Sequence, residues 1–211
     1  MKKEARESIS DRALWRRAIL HLSSSDSRLK PIVGNVKGFG IKLERNHYGS
    51  LVKAIVYQQI SGRAGDSIFK KFLSLYGGSM PTPKDFLKTG TAKVRGAGIS
   101  PQKYSYIKDL SERIERGELE LKRFRDMDDE DIIGELDAVK GIGRWTSEMF
   151  LIFTLGRTDV LPVDDLGLRK AVKKAYGLRE LPGRERFEAI AKPWHPYCSV
   201  ATVCLWRSIG S

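Results

Sequence analysis

Residues 136–170 read LDAVKGIGRWTSEMFLIFTLGRTDVLPVDDLGLRK, and their pattern decides the fold. Leu136, Ala138 and Val139 close one apolar helical run, Gly141 and Gly143 permit a tight turn with exposed backbone, and Trp145, Met149, Phe150, Ile152 and Phe153 restart helical spacing. The first amides of that second helix have no acceptor inside it and carry the positive end of its dipole. A phosphate oxygen is therefore a natural ligand of the hairpin. A lone GxG between helices is usually only a turn, so the phosphate reading depends on what surrounds it.

An acid pair stands about 20 residues beyond the hairpin. Asp164 and Asp165 come after VLPV and before LGLRKAVKKAY, so at least one should cap the helix that starts there. The cap needs one aspartate. A second, near a sugar-phosphate backbone, would be electrostatically unfavourable unless it did chemistry, and one such chemistry is stabilising the positive charge that develops on a deoxyribose as its base departs.

Composition favours a polyanionic partner. The 211 residues carry 38 Lys plus Arg against 26 Asp plus Glu, a formal net charge of +12, which suits association driven by counterion release. No stretch approaches the roughly 18 consecutive apolar residues of a spanning helix, and MKKEARESISDR lacks the apolar core of a signal peptide. A membrane partner is not expected. The chain has only two cysteines, Cys198 and Cys204. An iron–sulfur cluster needs about four thiolates, no CxxC or Cys/His spacing suggests zinc, and both cysteines sit in an apolar helical pattern that favours buried, inert thiols.

Helical periodicity recurs along the chain and strand alternation does not. Helices are expected over residues 9–22, 47–60, 63–76, 82–89, 101–116, 128–139, 144–155, 165–176, 184–192 and 196–208, with breaks at Gly77–Gly78, Pro81, Pro83, Gly96, Gly98, Gly117, Gly156, Gly177 and Pro182. The expected fold class is all-α. SSSDSR, residues 23–28, reads as a Ser-rich connection.

Several motifs in one order carry a resemblance. VKGIGRWTSEMF, LPVDDLGLRKAV, AIVYQQISGRAGDSIFKKF (54–72), VRGAGISPQKYSYIKDLSERI and WHPYCSVATVCLW together resemble the helix-hairpin-helix DNA glycosylase superfamily, and most of all its 3-methyladenine DNA glycosylase II subgroup. The similarity covers residues 51–206; the first 45 residues carry no motif, and the separate N-terminal β domain of some bacterial members is expected to be missing. The resemblance implies one glycosylase unit over 1–211 made of two helical lobes, 51–163 with the hairpin and 1–50 plus 164–211, with an active cleft between them. It implies hydrolysis of the N-glycosidic bond of alkylated purines such as 3-methyladenine and 7-methylguanine by base flipping, leaving an abasic site in base excision repair. The implied partner is damaged double-stranded DNA, bound by a monomer in the cytoplasm at the nucleoid of a prokaryote or in the nucleus of a eukaryote.

Residue by residue, the family's catalytic aspartate matches Asp165, with Asp164 as the cap or orienting neighbour. Gln59 matches the residue that plugs the duplex, with Gln58 and Ser61 beside it. Gly141, Ile142, Gly143, Arg144, Trp145 and Thr146 would cradle phosphate, and the resemblance implies a monovalent cation on the backbone of Gly141 and Gly143. Bifunctional relatives carry a Schiff-base lysine where this chain has Trp145, and Lys140 does not match that position, so water is expected to attack the sugar without a lyase step or catalytic cofactor. Trp206 matches the family's terminal tryptophan, and with Tyr57, Trp194 and Trp145 it is a candidate to hold a cationic base by cation–π attraction. From composition alone Tyr57 and Trp194 read equally well as core. His21, His47 and His195 are too scattered for a relay, and His195 reads best as a satisfied structural histidine.

Three other readings share part of this pattern. A glycosylase for deaminated or etheno-adduct bases would differ in pocket shape, which sequence does not reveal. A non-catalytic helix-hairpin-helix DNA-binding module would keep the charge and the hairpin but has no use for PVDD or YQQ. An acidic protein partner would leave little salt-dependent DNA binding.

Overall fold

The computed structural model describes residues 8–35 and 40–210. These divide into two compact units, one of Glu44–Phe150 and the other of the segments up to Leu43 and from Leu151 onward. The described residues form helices and no strand, as the periodicity predicts.

The Glu44–Phe150 unit holds α3 (His47–Tyr57), α4 (Gly62–Ser74), α5 (Pro83–Lys88), α6 (Thr91–Gly96), α7 (Pro101–Glu115), α8 (Asp129–Asp137) and α9 (Arg144–Phe150). Side-chain caps set most starts: Asn46, Ser61, Thr82 and Ser100 accept backbone amides at the heads of α3, α4, α5 and α7, and Pro83 and Pro101 take first-turn positions where no donor is needed. Leu51, Val52, Ile55, Phe72, Phe86, Ile107, Leu110, Phe124 and Leu136 are wholly buried and form the core. Tyr48 is buried among them and satisfies its hydroxyl on Ser111 Oγ at 2.8 Å. The stretch expected as a helix over 47–60 ends at Tyr57 because Gln59 has φ 57°, outside helical space.

The other unit holds α1 (Arg12–Ser25), α2 (Lys30–Gly34), a π-helical turn at Leu151–Leu155, α10 (Leu166–Tyr176), α11 (Arg184–Ala191), a 3-10 turn at Lys192–Trp194 and α12 (Cys198–Ile209). Its core includes Leu14, Trp15, Leu22, Leu29, Leu151, Leu168, Val172, Phe187 and Trp194. Asp26, in the stretch read as a Ser-rich connection, is buried; it ends α1 and accepts the amides of Arg28 and Leu29, the Tyr176 hydroxyl and Trp194 Nε1. With four donors, this carboxylate stays within the core. No helix of the described residues is long and apolar enough to cross a membrane.

Three departures from the periodicity matter. The short helices α2 and α6 span only five and six residues, too few to show a helical repeat. The run expected as one helix over 144–155 changes to π geometry at Leu151. The stretch from 196 becomes helical only at Cys198, after the 3-10 turn.

Candidate active site

Asp165 is the N-cap of α10. Its Oδ1 accepts the Leu168 amide at 2.5 Å and Trp206 Nε1 at 2.9 Å. Of the two expectations for Asp164, cap or orienting neighbour, the cap is corrected: Asp164 is exposed and pairs with Arg184 Nη2 at 2.5 Å, while the matched catalytic position does the capping. The backbone turn before it is closed by the Asp165 amide on Pro162 O at 3.0 Å, which sets the carboxylate at the helix head. Close approach is possible because residue 167 is glycine. A Cβ there would lie 3.2 Å from Asp165 Oδ1 and 3.6 Å from Trp206 Nε1.

Trp206 sits on α12, half-buried, and its ring stacks on Phe153 with centroids 6.1 Å apart and planes 18° off parallel. Phe153 lies in the π-helical turn, a geometry that often marks functional positions. The sequence pattern places Phe153 only in a helical run. The site thus brings one carboxylate and two near-parallel aromatic rings together in a single unit.

In the other unit, the hairpin 140–143 is held from below by three side chains. The Tyr106 ring lies against Gly141, where a Cβ would meet Cδ2 at 2.1 Å, and Gly141 has φ 77°. Gln58 Nε2 donates to Gly141 O at 2.7 Å. Asp109 Oδ2 accepts the Lys140 amide at 3.0 Å and Arg113 Nε at 3.0 Å. Burial alone would raise the Asp109 pKa, but the Lys140 amide and the Arg113 guanidinium outweigh it and hold the carboxyl below its ordinary value. Only glycine at 141 suits both the left-handed backbone and the ring beneath it.

A family model described as "HhH-GPD superfamily base excision DNA repair protein" matches residues 52–196. The chain belongs to that superfamily. This HhH-GPD protein is 33% identical to the alkylbase DNA glycosidase-like protein mag2 of Schizosaccharomyces pombe, over 92% of this chain and 93% of that one. It is similar in structure to a DNA-3-methyladenine glycosidase from Bacillus halodurans, with a TM-score of 0.83 and 34% identity over 97% of this chain and 92% of that one. A 3-methyladenine DNA glycosylase of Schizosaccharomyces pombe, solved in complex with abasic DNA, gives a TM-score of 0.80 at 30% identity, covering 92% of this chain and 97% of that one.

The HhH-GPD hairpin differs in detail from what its sequence suggests. The side chains of Ile142 and Thr146 are buried and turned into the protein. The Arg144 guanidinium forks onto Glu130, at 3.0 Å and 2.5 Å, and its Nε reaches Glu148 at 3.2 Å. That side chain is engaged within the protein rather than extended toward a phosphate. Trp145 is 48% exposed and Gln59 is exposed with its strained φ, whereas Ser61 serves as the cap of α4.

Two pocket candidates fare differently. Trp194 is 0% exposed, with Nε1 shared between Asp26 and Tyr176 and its ring edge-on to Phe187. It belongs to the core and does not line a pocket, contrary to the expectation for it. Tyr57 donates to Asp66 at 2.6 Å, lies on Gly65 where a Cβ would come within 2.6 Å of its ring, and has Lys53 Nζ 5.9 Å from its centroid. Desolvation and the Asp66 hydrogen bond push its hydroxyl up to about 12. Both cysteines are free and buried.

Proposed function

We propose that this protein is a monofunctional DNA glycosylase that removes alkylated purines, 3-methyladenine and 7-methylguanine foremost, from double-stranded DNA and leaves an abasic site. The observation that carries the reading is the fixed carboxylate of Asp165 beside the Phe153–Trp206 stack. Methylation at N3 of adenine or N7 of guanine makes the base cationic. Electron-rich rings attract such a base by about 0.5 to 2 kcal/mol when it leaves water. Extrusion from the helix costs a few kcal/mol, least where pairing is already weakened.

The reaction needs little acid catalysis, because the C1′–N bond breaks with its electron pair moving onto a base that is already positively charged. Positive charge then develops on the sugar, where the Asp165 carboxylate stabilises it. Water adds to C1′ and loses a proton, giving the abasic sugar. Trp145 at the position of the lyase lysine leaves no amine for a Schiff base there, which supports hydrolysis alone.

Supporting binding, the hairpin offers backbone amides at the head of α9, and Gln59 on its exposed turn would fill the gap left by the flipped nucleotide. A monovalent cation would take the remaining lone pair of the Gly141 carbonyl. The Gly143 carbonyl already accepts Ser147 N and Oγ, so it does not suit the ion, and no step depends on it. The protein would work as a monomer on duplex DNA.

The deciding experiment is base release from methylated duplex DNA by wild type beside Asp165→Asn. Asparagine caps a helix as well as aspartate does, so the variant keeps the fold and loses only the charge. Release of 3-methyladenine or 7-methylguanine by wild type alone is expected. Release from etheno-adduct or deaminated substrates instead would move the substrate class, and duplex binding without any release would favour a non-catalytic module.

A further inference from the structure

Away from Asp165, a second cluster of reactive side chains gathers where the segment after the π turn meets the head of α12. His195 Nδ1 lies 2.8 Å from Asp159 Oδ2 and 3.6 Å from Cys198 Sγ, and the three donor atoms all fall within 4.8 Å of one another. Asp159 and His195 are exposed and Cys198 is buried, so the cluster has a dry floor and an open outer side. One reading is a nucleophilic relay. That arrangement would put the thiol and the carboxylate on opposite ring nitrogens, whereas here both approach Nδ1. Convergence of a thiol, an imidazole and a carboxylate on one point is the geometry of a metal site instead.

From this convergence we propose that Asp159, His195 and Cys198 bind a zinc ion, with water in the fourth position. Zinc bonds of about 2.0 to 2.3 Å in a tetrahedron place neighbouring donors roughly 3.3 to 3.7 Å apart. The sulfur–nitrogen distance of 3.6 Å already matches, the carboxylate would move about half an ångström from the ring, and the third pair starts within 4.8 Å. One borderline-soft thiolate with an imidazole and a carboxylate suits Zn²⁺ better than the all-oxygen cages of Mg²⁺ or Ca²⁺. Binding would displace the thiol proton to solvent.

The donors are held in place by the backbone around them. The Cys198 amide donates to Asp159 Oδ1 at 3.2 Å, the Ser199 amide to Thr158 O at 3.0 Å, and the Val160 amide to Ser199 Oγ at 2.9 Å. These three bonds stitch the two segments together. An ion there would clasp the stretch leading into the Asp165 loop to the helix that carries Trp206. Sequence spacing does not reveal this cluster, because Asp159 lies 36 residues before His195 and a Cys/His pattern has no place for a distant carboxylate.

The test uses the full, tag-free chain, stripped with a chelator and titrated with Co²⁺ and then Zn²⁺. We expect a thiolate-to-cobalt charge-transfer band that saturates at one ion per chain, is displaced by zinc, disappears in Cys198→Ala and persists in Cys204→Ala. Asp159→Asn and His195→Gln should bind about tenfold or more weakly, and zinc should raise the melting temperature of wild type but not of Cys198→Ala. If Cys198→Ala loses its helical circular dichroism, Asp159→Asn, altered at an exposed side chain, decides in its place. The absence of a thiolate–cobalt band in folded wild type overturns the proposal, as does a band that survives Cys198→Ala or is unmoved in Asp159→Asn. Base release plays no part in these readouts, so the outcome stands apart from the proposed activity.

Discussion

Trp206 Nε1 and the Leu168 amide donate to the same oxygen of Asp165, so the indole that stacks on Phe153 also fixes the carboxylate at the head of α10. Trp206→Phe keeps an aromatic face and removes one donor. A hydrogen bond to a charged group is worth about 1.5 to 3 kcal/mol, so kcat for base release should fall about tenfold to a hundredfold. KM should change much less, because the stack remains. A fall in affinity with unchanged kcat would show that the tryptophan holds the base and does not position the aspartate.

At the hairpin, Gly141→Ala meets two obstacles at once, a backbone at φ 77° and the Tyr106 ring 2.1 Å from the new carbon. The left-handed backbone alone costs about 1 to 2 kcal/mol, and the clash adds to it. Melting should drop by at least about 3 °C, at roughly 2 to 4 °C per kcal/mol, and DNA binding should weaken on every sequence alike. Gly177→Ala, where nothing lies within 4 Å of the added carbon, should lose only the backbone part. Equal losses at both positions would mean that Tyr106 moves aside freely.

Asp109 ties stability to acid pH. Its folded pKa lies below the ordinary 3.8, so its contribution is complete above that value and is lost as pH falls through the folded pKa. Asp109→Asn should therefore be less stable than wild type at neutral pH, by about 1 to 3 kcal/mol for the anchored hairpin amide and guanidinium. That gap should narrow below pH 3.8. Denaturant midpoints followed across pH check this, and a gap of constant size down to strong acid would remove Asp109 from the account.

Much of this was legible in the chain. The GIG hairpin, the PVDD acid and the helical periodicity are local patterns, and the structure places Asp165 at a helix head as LPVDDLGLRK predicts. Contacts set by tertiary packing were not legible. Nothing in the spacing tells that Tyr106 and Asp109 on α7 support a hairpin more than 30 positions later, or that the π turn brings Phe153 onto Trp206. For Trp194, which reads equally well as core or pocket, the choice is made by Asp26, a buried carboxylate in a stretch that reads as a loop, which takes the indole into the core. The division of labour between Asp164 and Asp165 depends on a single hydrogen bond, which composition cannot assign.

Arg144 gives the sharpest contrast between sequence and structure, because a hairpin arginine in a basic protein suggests a phosphate contact. Its guanidinium is instead shared between Glu130, 71% exposed, and Glu148, 6% exposed. The pairing raises the arginine's pKa and holds Glu130 below its ordinary value. The outer pair is worth up to about 1 kcal/mol. Removing the arginine falls mainly on buried Glu148, so Arg144→Ala should lower stability by about 1 to 3 kcal/mol. A lost phosphate contact would reduce the slope of log affinity against log salt by about 1. We expect Arg144→Ala to leave that slope as it is in wild type while lowering the melting temperature. A flatter salt dependence with unchanged melting would mean that the side chain leaves Glu130 for the backbone when DNA binds.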